Sequence, residues 1–404
     1  MIMAEGGGTM IDFKQFYTDD EVIRLAQDLV RIPSHKYIED RESRVAEYIY
    51  DYCADAGFEV TMETVEGKRR NVIAVLRGTG GGRDLILNGH TDTVPPYDMT
   101  IDPFCAEIKD GFLWGRGAND MKGALACMIT AMLAIKRSGI KLRGDIIFTA
   151  AVGEEEKSDG TEHFVMNGGT GDGAIVGEPS NYGYALGHRG LEWLEIRIHG
   201  KTAHGGIPEL GINAISKAAK VINAIEEQIV PKLAERQNEY MGPSVMNFGT
   251  IEGGTQPSTV ADFCSIKMDR RYVPGETVES VIKEYEDVLN GIAADDPDFR
   301  AEIIRMENGL MNHYDHAPLI AQPESDIAIC SGNILAEKLG HASEIARRRG
   351  WTDAGVLSTY GKIPTVVLGP GDLSFSHAVD ERIPVCDLVE FVDIYANIAA
   401  EFCR

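Results

Sequence analysis

The 404-residue chain has no run of the roughly eighteen unbroken apolar residues that a membrane-spanning helix requires, so no transmembrane anchor is expected. Its start, Met-Ile-Met-Ala-Glu-Gly-Gly-Gly-Thr-Met, lacks a basic region followed by an apolar one, and no signal peptide is expected. Cys-x-x-Cys pairs are missing too. The seven cysteines (Cys53, Cys105, Cys127, Cys264, Cys330, Cys386 and Cys403) are odd in number and dispersed, which fits reduced core thiols in a cytoplasmic protein better than a disulfide frame. Basic charge is scarce. Lysine and arginine number 39 against 63 aspartates and glutamates, a formal net charge of −24. Nucleic-acid binding needs basic surface to replace condensed counterions, so this balance argues against phosphate-backbone partners and for a strongly solvated acidic surface.

Hydrophobic residues make up 44% of the chain, ample for packed cores, and the length favours two or three domains. Up to residue 187, helix and strand signals alternate. Residues 44–57 carry Val45, Ile49, Tyr52, Cys53 and Ala56 on one helical face, stopped by Gly57; residues 122–138 carry Leu125, Met128, Ile129, Met132 and Leu133 inward, stopped by Gly139. Short runs rich in Val, Ile and Leu at 71–77, 84–88, 145–152 and 173–176 read as buried strands. Such alternation predicts a largely parallel sheet covered on both faces.

From 188 to 305 the pattern changes. Leu194, Ile196 and Ile198 alternate with Glu195 and Arg197, giving a strand with one wet face. A helix follows with Ile212, Ile215, Ala219, Ile222, Ile225 and Ile229 on one stripe, then strands at 244–251 and 262–272 separated by Gly253-Gly254. A helix with Val278, Val281, Ile282, Tyr285, Val288 and Leu289 inward and a strand at 299–304 complete a β-α-β-β-α-β order, the split βαβ unit. Residues 306–404 return to α/β character, with a strand at 365–368 and a closing helix at 387–402. The chain thus reads as an α/β domain in two parts, 1–187 and 306–404, with an α+β module at 188–305 inserted between them.

Candidate functional residues stand where apolar runs give way to glycine, proline or polar residues, which is where α/β strands end and active sites begin. His90 lies in Leu-Asn-Gly-His-Thr-Asp-Thr-Val-Pro, Asp120 in Gly-Arg-Gly-Ala-Asn-Asp-Met-Lys-Gly, Glu155 in Ala-Val-Gly-Glu-Glu-Glu and Glu178 in Val-Gly-Glu-Pro-Ser. His377, in Ser-Phe-Ser-His-Ala-Val-Asp-Glu-Arg, has no such strand beside it. His90 and Asp92 share one side of an extended segment, which suits a metal-bound imidazole whose second nitrogen is held by a carboxylate. Each residue taken singly has a plainer explanation: a turn aspartate, a helix cap at Asp120, a solvated acidic run at Glu154-Glu155-Glu156. A hydrolytic metal site needs one carboxylate as ligand and a second, unligated, as base; adjacent glutamates directly after a strand can divide those roles. His90, Asp120, Glu155, Glu178 and His377 together read as the ligands of a two-metal hydrolytic site.

The chain resembles the aminoacylase, acetylornithine deacetylase and succinyl-diaminopimelate desuccinylase family of zinc metallopeptidases and deacylases. Seven motifs carry the resemblance, in the family's order, over roughly residues 85–385: His90-Thr-Asp92, Gly115-Arg-Gly-Ala-Asn-Asp120-Met-Lys-Gly, Glu154-Glu155, Gly177-Glu178-Pro-Ser, Ala203-His204, Arg271-Tyr-Val-Pro-Gly-Glu, and Gly369-Pro-Gly-Asp followed by His377. The resemblance implies a zinc-exopeptidase-like α/β/α catalytic domain with an inserted ferredoxin-like dimerisation domain, hence a homodimer with hinge motion between its domains. It implies two zinc ions, with cobalt or manganese as substitutes, bridged by Asp120. His90 and Glu178 would complete one position, Glu155 and His377 the other. Asp92 would orient His90, Glu154 would be the general base, and His204 would stabilise the oxyanion, often from the partner subunit. Arg271, with Gly350 and Thr352 in the Arg-Gly-Trp-Thr-Asp run, would meet the substrate carboxylate. The family's glycine five residues after the second glutamate, here Gly160, sets this register, while Glu156 offers a competing one because Gly153 replaces the usual aspartate.

Two departures fall on the substrate side. Ser258-Thr-Val-Ala261-Asp262 stands where the family often has Asn-Val-Val-Pro-Asp, and Arg349-Gly350-Trp351-Thr352-Asp353 where a glycine-rich run often precedes Thr-Asp. The implied activity is metal-assisted hydrolysis of an N-acyl amino acid, by a deacetylase, desuccinylase or aminoacylase. A dipeptidase or carboxypeptidase acting on a short peptide is the alternative, and a non-catalytic binding module the remote one.

Overall fold

A hairpin opens the larger sheet: β1 (Glu59–Glu66) and β2 (Arg69–Leu76) run antiparallel on either side of Gly67, whose φ of +57° suits a tight reversal. The computed structural model describes residues 10–404 and divides into two compact units. One unit takes the chain up to Gly187 together with Leu319–Arg347 and Thr352–Arg404; the other takes His188–Pro318 with Arg348–Trp351.

In the first unit β3 (Leu85–His90), β6 (Ile146–Ala151), β7 (Gly173–Val176) and β12 (Thr365–Val367) join the hairpin in the order β1-β2-β6-β3-β7-β12. Three of the five pairings are parallel and the two made by β2 are antiparallel, so the sheet is mixed where a largely parallel one was expected. The link of only two residues between β1 and β2 is the reason, since a parallel connection needs a crossover of a dozen residues or more. The central strands are buried on both faces, as their apolar sequences require. Register aligns their ends: His90 pairs with Ala151, and Asn88 with Val176. The segments leaving β3, β6 and β7 therefore emerge side by side at one sheet edge.

Helices α1 (Asp19–Arg31), α2 (Ser43–Asp55), α3 (Gly123–Ser138) and α4 (Asp159–Met166) are followed later by α8 (Asp326–Leu339), α9 (Ala354–Thr359) and α10 (Val385–Phe402). Thr18 caps α1, accepting the Glu21 N–H with three acidic residues in the first turn. Ala118–Ser138 has no unbroken apolar run of roughly eighteen residues but is long and apolar enough by mean composition to cross a bilayer, and its apolar window is wholly buried in the unit. It behaves as a core helix, packed on α10, where the Cys127 thiol meets the Leu388 carbonyl. A small sheet of β4 (Glu107–Lys109), β5 (Phe112–Trp114) and β13 (Arg382–Pro384) ties the segment before Asp120 to the segment after His377, with Arg382 opposite Trp114. All seven cysteines are free; five are buried, Cys105 is partly so and Cys386 is exposed.

The second unit is a four-stranded antiparallel sheet of β8 (Gly190–His199), β9 (Val245–Gly253), β10 (Phe263–Tyr272) and β11 (Arg300–Arg305), ordered β11-β8-β10-β9. Its apolar face packs on α5 (Ala214–Gln228), α6 (Val230–Glu235) and α7 (Val278–Asp295), uniting Leu194, Ile196, Ile198 and Ile266 with Val221, Ile225, Val281 and Tyr285. The inward stripe of α5 differs from the expected one. Asn213 caps the helix, so Ile212 lies outside it; Ala214, Ala218, Val221 and Ile225 turn inward and Ile215 stays exposed. Small alanines on that face let the helix approach the sheet closely. The unit also runs past 305, because the Tyr272 hydroxyl donates to the His316 carbonyl (3.0 Å) and the Trp351 indole to that of Ala317 (2.8 Å).

Candidate metal centre

His90 ends β3 with only 1% of its surface exposed, so its ring is fixed by its neighbours. Its Nδ1 faces the backbone carbonyl of Asp92 at 2.9 Å, while the Asp92 carboxylate is farther, at 3.6 Å. The carbonyl of Asp92 is thus the close partner where its side chain was expected. That carboxylate is engaged elsewhere: it accepts the N–H groups of Gly153 (2.9 Å), Glu154 (3.2 Å) and Glu155 (3.0 Å), the loop that leaves β6.

His90 Nε2 lies 3.1 Å from one oxygen of Asp120 and 3.5 Å from Glu178. The other Asp120 oxygen lies 3.4 Å from His377 Nε2, which is 3.1 Å from Glu155. Asp120 therefore stands between two histidines, with one oxygen toward each. Glu154 groups with His90 and Glu178, and Glu155 with His90 and Asp120; in each group the ligating atoms fall within 4.8 Å of one another. Glu156 turns to Arg41 and Lys36. The first unit thus gathers His90, Asp92, Asp120, Glu154, Glu155, Glu178 and His377.

The cluster holds far more carboxylates than cations, and its titration reflects that. Burial alone would lower the pKa of His90, yet the Asp120 and Glu178 carboxylates hold it well above the ordinary value. His377, 52% exposed, is pushed up to about 11 because Asp120 and Glu155 outweigh burial. Burial opposes the ionised form of Asp120, but the two histidines hold its pKa well below the usual range. Burial, with the charges of Glu178 and Glu155, raises Glu154 well above it. Nitrogen and oxygen donors crowded beside surplus negative charge suit divalent metal ions. One consequence is measurable. The neighbouring carboxylates raise both histidines, which must be neutral to ligate, so metal loading is expected to release protons and to tighten as pH rises. Calorimetry in buffers of different ionisation enthalpy tests this; a binding heat independent of buffer would contradict it.

Several buried residues escaped the sequence reading. Glu381, fully buried, accepts the N–H groups of Gly117, Asn119 and Asp120 and pairs with Arg116. Asp353, whose pKa burial lifts to about 6, accepts from Thr161, which in turn takes a hydrogen bond from Asn88 two residues before His90. Glu381 stands in Val-Asp-Glu-Arg, which reads as a solvated charged run, and only its position four residues after His377 hinted otherwise.

The remaining predicted residues belong largely to the second unit. His204 is exposed, its Nδ1 accepting the Gly206 N–H at 3.0 Å. Arg271 presents its fork to Asp269, at 2.7 and 2.9 Å, so the guanidinium expected to be open for substrate already has a carboxylate. Beside it lies a further unforeseen residue, Arg189. It is buried, without an ion-pair partner among the described residues, and burial with the charges of Arg271 and Arg349 lowers its pKa. Gly350 has open space around its α-carbon. Thr352, in the first unit, is wholly buried, its hydroxyl accepting the Ala354 N–H at 3.2 Å.

Residues 86–401 match the model of peptidase family M20/M25/M40. The chain belongs to this family. It is similar to the N-formyl-4-amino-5-aminomethyl-2-methylpyrimidine deformylase of Halalkalibacterium halodurans, 30% identical with 95% of each chain covered. To the acetylornithine deacetylase of Myxococcus xanthus it is 31% identical, over 82% of this chain and 84% of that one. The fold matches that of aminopeptidase PepT from Bacillus cereus with a TM-score of 0.78 at 24% identity, covering 96% of this chain and all of the other. This member of the M20/M25/M40 peptidases is a metal-dependent hydrolase with an α/β catalytic domain and a smaller β-rich insertion, and its His/Glu clusters fit a two-metal centre.

Proposed function

We propose that the protein hydrolyses the amide bond of N-acyl amino acids. The observation that carries this reading is Glu154, a half-buried carboxyl of raised pKa set against His90 and Glu178 on a loop pinned by Asp92. A group so placed can take a proton from water and return it to the leaving amine. His90, Asp120 and Glu178 would hold one metal ion and Asp120, Glu155 and His377 the other, zinc first, cobalt or manganese in its place. Metal bound there supplies Lewis acidity and lowers the pKa of water. The engagement of Glu156 by Arg41 and Lys36 supports Glu154 as base and Glu155 as ligand. His204 would stabilise the developing oxyanion. The two relatives of 30% and 31% identity named above are a deformylase and a deacetylase, which favours acyl removal over peptide cleavage.

Arg271, with Gly350 and Thr352, would receive the substrate carboxylate, and Arg189 is added to this set because a buried cation among like charges favours an anion. A charge-assisted hydrogen bond is worth roughly 1.5–3 kcal/mol, so Arg189→Ala or Arg271→Ala should raise KM about 10–100-fold with less change in kcat. The check is N-acetyl amino acids against their carboxamides: if both substrates weaken equally, the carboxylate role is wrong. We further propose a homodimer in the reducing cytoplasm. The edge strand β9, with Val245 and Ile251 exposed, supports the dimer, and seven free cysteines support the compartment. Sedimentation gives the oligomeric state directly. The deciding experiment is a panel of N-acyl amino acids and dipeptides with zinc, cobalt or manganese. Turnover of dipeptides alone would replace this reading with the dipeptidase or carboxypeptidase one.

A further inference from the structure

We propose that Glu381 is a positioning residue of the metal centre, a buried carboxylate that gathers the backbone of the Gly117–Asp120 turn and holds Asp120 between His90 and His377. The turn needs such a holder. It begins in the left-handed region at Gly117 (φ +82°) and precedes α3, whose first N–H groups have no partner within the helix. Three of the turn's donors converge on one Glu381 oxygen: Gly117 at 3.0 Å, Asn119 at 3.0 Å and Asp120 itself at 3.1 Å. Arg116 takes the other oxygen. With both oxygens turned to these donors, Glu381 acts on the turn from behind and is no ligand.

The clamp is itself anchored. Glu381 precedes β13, whose Arg382 pairs with Trp114 of β5, and its carbonyl accepts the Gly115 N–H at 3.0 Å. His377 stands four residues earlier on the same segment. A second tie crosses there: the Asn119 amide donates to the Asp372 carbonyl and the Ser376 hydroxyl, both at 3.0 Å. The segment bearing the bridging aspartate and the segment bearing His377 are thus joined at two places, which fixes the 3.4 Å approach of His377 to Asp120. A carboxyl group at zero exposure is tolerable only with such donors, so Glu381 and the turn hold each other in place. Such a clamp preorganises the ligands, and preorganised ligands bind more tightly.

Glu381→Gln keeps an acceptor for the turn but sets an amide N–H against Arg116. Partners behind a ligand typically contribute about 10–100-fold to metal affinity, and that loss is expected on competition with a chromogenic chelator. Turnover at limiting zinc should fall in step and recover at high zinc, with KM unchanged. A folded Glu381→Gln protein with parental affinity overturns the proposal, even if its melting temperature drops. Should the variant fail to fold, hydrogen exchange of the parental protein decides. The amides of residues 117, 119 and 120 should exchange as slowly without metal as with it, and fast exchange in the metal-free protein overturns the proposal equally. The inference rests on Asp120 and His377 as ligands; a parental chain that binds no metal would refute that reading, whereas equal binding by parent and variant refutes the clamp alone.

Discussion

Glu154→Gln should lower kcat by roughly 10²–10⁴-fold, the range that general acid–base groups contribute, while leaving the metal in place. The substitution is nearly isosteric and removes only the ability to take and return a proton. Retention of metal follows from geometry, since Asp120 reaches both histidines and Glu155 reaches His377 without help from Glu154. Metal content and steady-state rates measured on the same preparation decide the matter. Should kcat fall only because metal is lost, Glu154 is a ligand and the division of roles between the two glutamates is wrong. Asp92 bears on the same test. Its carboxylate pins the N–H groups of residues 153, 154 and 155, so the base and its neighbour are aimed by one buried acid whose own pKa burial lifts to about 7.

Asp120→Ala is the second large effect and a different one: both metal positions should empty. Each Asp120 oxygen faces one histidine, so removing the carboxylate leaves His90 with Glu178 on one side and His377 with Glu155 on the other. Two-donor remnants fall short of the three protein ligands that hold catalytic zinc. Since partners outside the ligand shell already contribute about 10–100-fold, loss of a shared ligand should weaken binding by at least about 100-fold at both positions. Titration with zinc against a competing chelator reads this directly. One site retained at parental affinity would mean that Asp120 serves a single ion.

Much of this was legible in the sequence because buried strands in an α/β sheet are short apolar runs with abrupt ends. His90, Glu154, Glu155 and Glu178 stand at such ends, and the sheet register brings three of those ends to one edge. The split βαβ unit was legible for a similar reason, since the alternation of Leu194, Ile196 and Ile198 with charged residues marks a strand with one dry face. What escaped depends on contacts between distant segments. Glu381 sits between Asp380 and Arg382 and looks like surface, yet it lies at zero exposure beneath a turn more than 250 residues earlier in the chain. Arg189 follows a histidine and precedes a strand, with no local sign of burial. The inward stripe of α5 was misplaced because isoleucines at 212 and 215 outweigh the alanines at 214 and 218 in hydrophobicity, while close packing on a sheet favours the small residues.

The central claim, that this chain is a two-metal amide hydrolase, is tested most directly by elemental analysis of the protein reconstituted with zinc, paired with hydrolysis of an N-acetyl amino acid before and after chelation. The account predicts two equivalents of metal per chain, activity lost on chelation, and activity restored in proportion to the metal returned. A chain that binds no divalent metal, or that hydrolyses its substrate equally well after complete chelation, would contradict it.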